Sequence, residues 1–196
     1  MTVLDGKTLA TAAAILLCSS WTAMGCERAI ELDSDQVRHQ IDLLKAEDAD
    51  PIDQTDALSA LMCAERASVR DLAARTALAS PNDSLQAATL AEVLMQKQTI
   101  MIEFIEEEGI ANDVRDYITE NIALSYEVRS VDRNASCIAL SNGGCQGYFL
   151  DITGKNVDIK YSRDIGSFSL DPEGDLRGYY KPNGFPAKVP ARIKLL

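Results

Sequence analysis

The hydrophobic repeat of this chain changes once, near residue 130, from a helical spacing of about 3.6 residues to the spacing of two that marks a strand. One stretch of backbone cannot satisfy both repeats, because the first puts every third or fourth side chain on one face and the second every other one. The chain therefore reads as α+β with segregated halves. An acidic helical half covers about 27–130, followed by a small antiparallel β-meander or half-barrel over about 135–196. With 196 residues there is room for one interlocked domain or two touching subdomains, divided at 26–130 and 131–196.

In the first half, Ile30, Val37, Ile41 and Leu44 fall at helical spacing between acidic residues. Asp50-Pro51-Ile52-Asp53 and Ser80-Pro81-Asn82-Asp83 each offer a capping residue, Pro at the first helical position and an acid at the third. The first of these starts predicts a helix through Leu58, Leu61, Met62 and Cys63, with Leu78 as its furthest reach. The second predicts one long helix with Leu85, Leu90, Val93, Leu94, Ile100, Met101, Phe104 and Ile105 on its apolar face and Gly109 as its stop. That would put Glu106, Glu107 and Glu108 at the carboxyl end of the helix, where its dipole disfavours them. A third helix is expected from about Asp113, burying Val114, Ile118 and Ile122.

In the second half, Tyr148, Leu150 and Ile152 alternate with other residues, as do Val157, Ile159 and Tyr161. Phe168 and Leu170, then Leu176 and Tyr180, then Ile193 and Leu195 continue the pattern. Turn chemistry separates them at Thr153–Asn156, Asp164–Gly166, Asp171–Gly174 and Pro182–Gly184.

The net charge of −11 is confined to one half. Residues 27–130 hold 22 acidic and 9 basic side chains, whereas 131–196 hold 7 acidic and 9 basic. Such a balance argues against a nucleic-acid partner, whose phosphates must be met by Lys and Arg, and against docking on anionic lipid through a basic face.

From Thr8 to Cys26 there is no charge. Ala12–Cys18 is apolar, and Ala23-Met24-Gly25 supplies small residues around a cleavage point, the pattern of an export signal over residues 1–25. The segment resembles a bacterial lipoprotein signal on Gly25-Cys26. That resemblance implies lipidation at Cys26 and a membrane link only through the N-terminal lipid, on the periplasmic or outer face of a membrane. Three other fates fit the same residues: an ordinary cleaved signal on a secreted protein, a retained membrane anchor, or an internal helix.

Five cysteines are present, and Cys18 leaves with a cleaved leader. Cys137 and Cys145 flank a turn-forming Asn142-Gly143-Gly144, so their spacing suits a disulfide in an oxidising compartment. Lipidation of Cys26 would leave Cys63 odd; a Cys26–Cys63 bridge would instead pair every mature cysteine.

No catalytic residue can be assigned. The single His39 stands in a polar helical run, and a thiol enzyme would have to bring it to Cys63 or Cys145. One histidine without a close Cys pair does not fit the common structural zinc patterns. Asp171, Glu173 and Asp175 alternate like the start of a calcium loop, but Leu176 and Pro182 stand where its Gly and Glu are required. No metal site, phosphate-binding glycine loop or nucleophile elbow is legible, and no cofactor is expected. The expectation is an exported, non-catalytic protein that binds another protein or a cell-envelope component. Two alternatives compete: an acidic inhibitor or immunity-type module for a basic partner, and a hydrolase using carboxylates or the Cys145 loop. Tyr179, Tyr180 and Phe185 are the aromatics available for binding.

Overall fold

Side-chain caps set three of the five α-helix starts among the described residues of the structure, a computed structural model that covers Cys26 and residues 28–196. The signal segment 1–25 lies outside the described residues. Helix α1 (Ser34–Lys45) opens on a reciprocal cap: Asp33 accepts from the Gln36 N–H, and the Gln36 side chain accepts from the Asp33 N–H. Helix α2 (Pro51–Met62) has Asp50 as cap and Pro51 in its first turn, as expected. It does not run on to Leu78. The chain breaks at Cys63–Arg66 and restarts as α3 (Ala67–Leu78), because Ile30 docks there as a short extended segment. Its N–H donates to the Cys63 carbonyl at 2.8 Å and its carbonyl accepts from the Glu65 N–H at 3.0 Å.

Helix α4 (Asp83–Met95) is capped by Asn82 rather than Ser80. Asn82 Oδ1 accepts from Ser84 and Leu85, while the Ser80 hydroxyl accepts from the Asn82 N–H. The helix then stops far short of Gly109. Residues Thr99–Phe104 form strand β1, with Ile100, Ile102 and Phe104 turned inward and Thr99 and Met101 exposed. Positions four apart lie on one face of a helix and also of a strand, so Ile100 and Phe104 fit both; Ile102 decides for the strand. Glu106–Glu108 thus sit in an exposed turn with no helix end beside them, and Gly109 adopts its φ of 81° in that turn. Helix α5 (Asn112–Glu120) buries Val114 and Ile118 as expected. Ile122 lies beyond it and is exposed, its carbonyl accepting from the Phe104 N–H.

Strands β2 (Ala123–Glu127) and β3 (Ser130–Asp132) follow, then β4 (Cys137–Ala139), β5 (Phe149–Thr153), β6 (Asn156–Tyr161), β7 (Asp164–Leu170), β8 (Leu176–Lys181) and β9 (Val189–Ile193). All nine strands pair antiparallel in the order β2-β1-β9-β8-β7-β6-β5-β4-β3. The sheet curls into a half-barrel. Its two outermost strands are neighbours in sequence: the Val128 N–H donates to Gln98 beside β1, and the Arg129 N–H donates to Ala139 of β4. The edges of the sheet therefore meet at this two-residue joint.

Inner-face residues line up across the strands. One row runs Ile138, Leu150, Ile159, Gly166, Tyr180, Val189, and the next Ile152, Val157, Phe168, Gly178, Ala191, Phe104. Gly166 leaves room for aromatic rings and Gly178 for the neighbouring backbone. A Cβ on Gly166 would come within 2.8 Å of Phe168 and 3.0 Å of Tyr180, and one on Gly178 would meet the Ser167 carbonyl oxygen at 2.0 Å. The buried side chains of the helices and the sheet form one connected core. Two ion pairs join helix α4 to the strand region: Arg133 to the buried Glu92 at 2.5 Å, and Lys155 to Asp83 at 2.8 Å.

Candidate functional site

The outer face of β5–β8 carries a groove of about 410 Å³. Strand alternation that turns Leu150, Ile159, Phe168 and Tyr180 inward turns their neighbours outward, and the register gathers those neighbours into two rows. The first row is Phe149, Lys160, Ile165, Lys181; the second is Asp151, Asp158, Ser167, Tyr179. Lys188 stands just before β9, opposite Lys181 by continuation of the Tyr180–Val189 register. Ile165 is 51% exposed and Tyr179 49%, so a large aliphatic and an aromatic side chain lie open between the lysines and the aspartates.

The other notable constellation is internal. Tyr126 and Tyr180 are hydrogen-bonded through their hydroxyls, and the Tyr180 hydroxyl donates to Asp164 Oδ2 at 2.9 Å. Asp164 also accepts from the Asn183 N–H, which ties the β6–β7 turn to the loop after β8. Burial raises the Tyr180 phenol well above the ordinary tyrosine range, and its bond to Tyr126 adds to the effect. Burial likewise raises Tyr126 and Tyr117. Tyr161 packs between Tyr126 and Tyr148 with ring centroids 4.7 Å apart on each side, and Phe104 and Phe185 flank Tyr117. This cluster is aromatic packing around the bonded hydroxyls of Tyr126 and Tyr180, and none of its tyrosines lines the outer groove.

The aromatics proposed for binding thus divide. Tyr179 faces outward, Tyr180 is buried, and Phe185 is partly buried against Tyr117.

The four cysteines among the described residues are joined as Cys26–Cys63 and Cys137–Cys145. Cys145 therefore carries no free thiol here, and its loop forms a short 3-10 turn over Gly144–Gln146. The Cys26 sulfur is taken up by Cys63, so this bridge and a thioether-linked lipid on the same atom exclude one another. Both bridges are compatible with export, as disulfides persist in oxidising compartments. Among the described residues no helix is long and apolar enough to cross a membrane.

His39 is exposed on α1. Asp171 accepts from the N–H groups of Glu173 and Asp175 and pairs with Arg177 at 2.8 Å, so the Asp171–Asp175 segment is a capped turn. Among the described residues, no group of three or more His, Cys, Asp or Glu side chains is set to hold a metal ion.

No family model matches the chain, and neither a curated protein nor a solved structure matches it. The groove was not singled out from the sequence, although its signal was present. Once Leu150, Ile159 and Tyr180 are assigned inward, Phe149, Lys160 and Tyr179 must point outward. What alternation does not give is the cross-strand register, and only register makes these residues neighbours.

Proposed function

We propose that this chain is an exported protein that acts by binding, with its partner seated on the outer face of β5–β8. The observation that carries the reading is the exposure of Ile165 and Tyr179 side by side in a groove whose lysines make no ion pair among the described residues. Apolar side chains lying open among uncompensated charges are typical of an interaction surface. Export is supported by the closed pairs Cys26–Cys63 and Cys137–Cys145 together with the signal-like residues 1–25.

The test is a photo-crosslinking side chain placed at residue 179 of the full chain, expressed in a bacterium. Position 72 on α3, also an exposed apolar residue, serves as control. An adduct formed from 179 and not from 72 is expected. Equal capture from both, or none from 179, would remove the outer face as the binding surface. Intact mass of the same sample reads the export part: a mature chain beginning at or near Cys26 is expected, and an uncleaved chain confined to the cytoplasm would overturn it.

A further inference from the structure

Four of the five charged side chains in the groove form two like-sign pairs; the fifth, Lys160, stands on β6 two residues from Asp158, between Phe149 and Ile165. Asp151 and Asp158 are direct cross-strand partners on β5 and β6, two carboxylates facing each other at one end. Lys181 and Lys188 take the corresponding position across β8 and β9, two ammonium groups facing each other at the opposite end. Like charges directly opposite in a sheet oppose folding, so both pairs cost stability. None of the four joins an ion pair among the described residues. The next outer row also sets like charges opposite each other, Arg177 and Arg192, but compensates them. Arg177 pairs with Asp171 and Glu173, and Arg192 and Lys194 pair with Glu103. These cations have carboxylate partners, whereas none of the five charged side chains in the groove does.

We infer that the groove binds a short peptide with free termini, its ammonium group against Asp151 and Asp158 and its carboxylate against Lys181 and Lys188. The inference rests on the outer face being the binding surface and adds the chemistry of what sits there. Length supports it. Two strand spacings of about 4.8 Å and one two-residue step of about 6.7 Å put the backbones of Asp158 and Lys181 roughly 12 Å apart. Three extended residues span roughly 10 Å, which leaves each terminus within reach of its side chains. The floor between the charged ends is Ile165, Ser167 and Tyr179, two of them suited to apolar peptide side chains. Charge supports it as well. A ligand with both charges is neutral as a whole and is not repelled by a protein of net charge −11, whereas a purely anionic ligand is.

The probe is the tripeptide Ala-Leu-Ala with free termini, titrated into the disulfide-bonded protein and followed by amide chemical shifts. Shifts should centre on Gly166, Ser167 and Tyr179. Acetylating the amine and amidating the carboxylate should each weaken binding about tenfold, which corresponds to about 1.4 kcal/mol. In Asp151→Asn/Asp158→Asn the acetyl group should cease to matter, and in Lys181→Gln/Lys188→Gln the amide should. Both double variants remove a like-charge pair, and their spectra report directly that they remain folded. Absent shifts, shifts away from the groove, or capped peptides that bind as tightly as the free one would overturn the inference. If a macromolecular adduct still forms from residue 179 in that case, the binding face stands and only its peptide ligand falls.

Discussion

On the inner face of the sheet Tyr180 is fully buried with its hydroxyl bonded to Tyr126 and Asp164, whereas on the outer face Tyr179, one residue earlier, is half exposed beside unpaired charges. The same strands thus carry one surface in which every large group has a partner and another in which charges of like sign are set opposite each other. Burial makes an unmade contact expensive, so selection for folding acts on the inner face. Water screens and solvates the outer face, which leaves it free to hold groups that suit a ligand rather than the fold.

The largest expected effect tests the sealed side. Tyr180→Ala removes a fully buried ring and should cost about 4 kcal/mol in urea unfolding. A loss below that of an ordinary surface change would erase the contrast between the faces. Next is the clamp that holds α4 to the β3–β4 turn. Arg133→Ala leaves the Glu92 carboxylate, whose side chain is only 5% exposed, without its cation and with only the Gln96 amide as donor, and should cost about 3 kcal/mol. Arg133→Ala/Glu92→Gln should recover part of that loss.

A smaller, pH-dependent effect follows from the buried phenols. Their neutral form is favoured in the folded protein because burial raises Tyr180, Tyr126 and Tyr117. The stability they contribute is complete below the ordinary tyrosine pKa of about 10. It is lost as the pH rises beyond that value, since the unfolded chain ionises first. Melting temperature should therefore fall above about pH 10, and Tyr180→Phe should flatten the fall.

The outer face should show the smallest changes. Asp158→Lys puts opposite charges across β5 and β6 and should stabilise by roughly 0.2–1 kcal/mol. Tyr179→Ala should move stability by less than about 0.5 kcal/mol. A large loss from either would mean that the outer rows serve folding after all.

The inner face was readable in the sequence because burial writes itself as alternation. Leu150, Ile152, Val157, Ile159, Phe168, Leu176 and Tyr180 all point inward as their spacing required. Misreading β1 as helix has an equally specific cause: Ile100 and Phe104 satisfy both repeats, and the link from α4, Gln96-Lys97-Gln98, contains no Gly or Pro to mark a break. Strand β2 was missed because its alternation is short, with only Leu124 and Tyr126 turned toward the core among its five residues. The candidate site was less legible than the fold. Asp151 and Asp158 become opposed only through the register fixed by the tight turn at Gly154, where φ is 59°. Polar side chains seven residues apart carry no mark of that meeting.

The position of β9 also affects when the protein can fold. It is the last of the nine strands to be synthesised, yet it is hydrogen-bonded on one side to β1 and on the other to β8. Its Arg192 meets Glu103, 89 residues earlier in the chain. Before residues 189–193 are available, β1–β2 and β3–β8 are two separate ladders, linked along the backbone through Val128 and Arg129. Contacts of such sequence separation form late, since loop closure has to precede them. Completion of the sheet therefore waits for β9, and the chain stays threadable until that strand has been made.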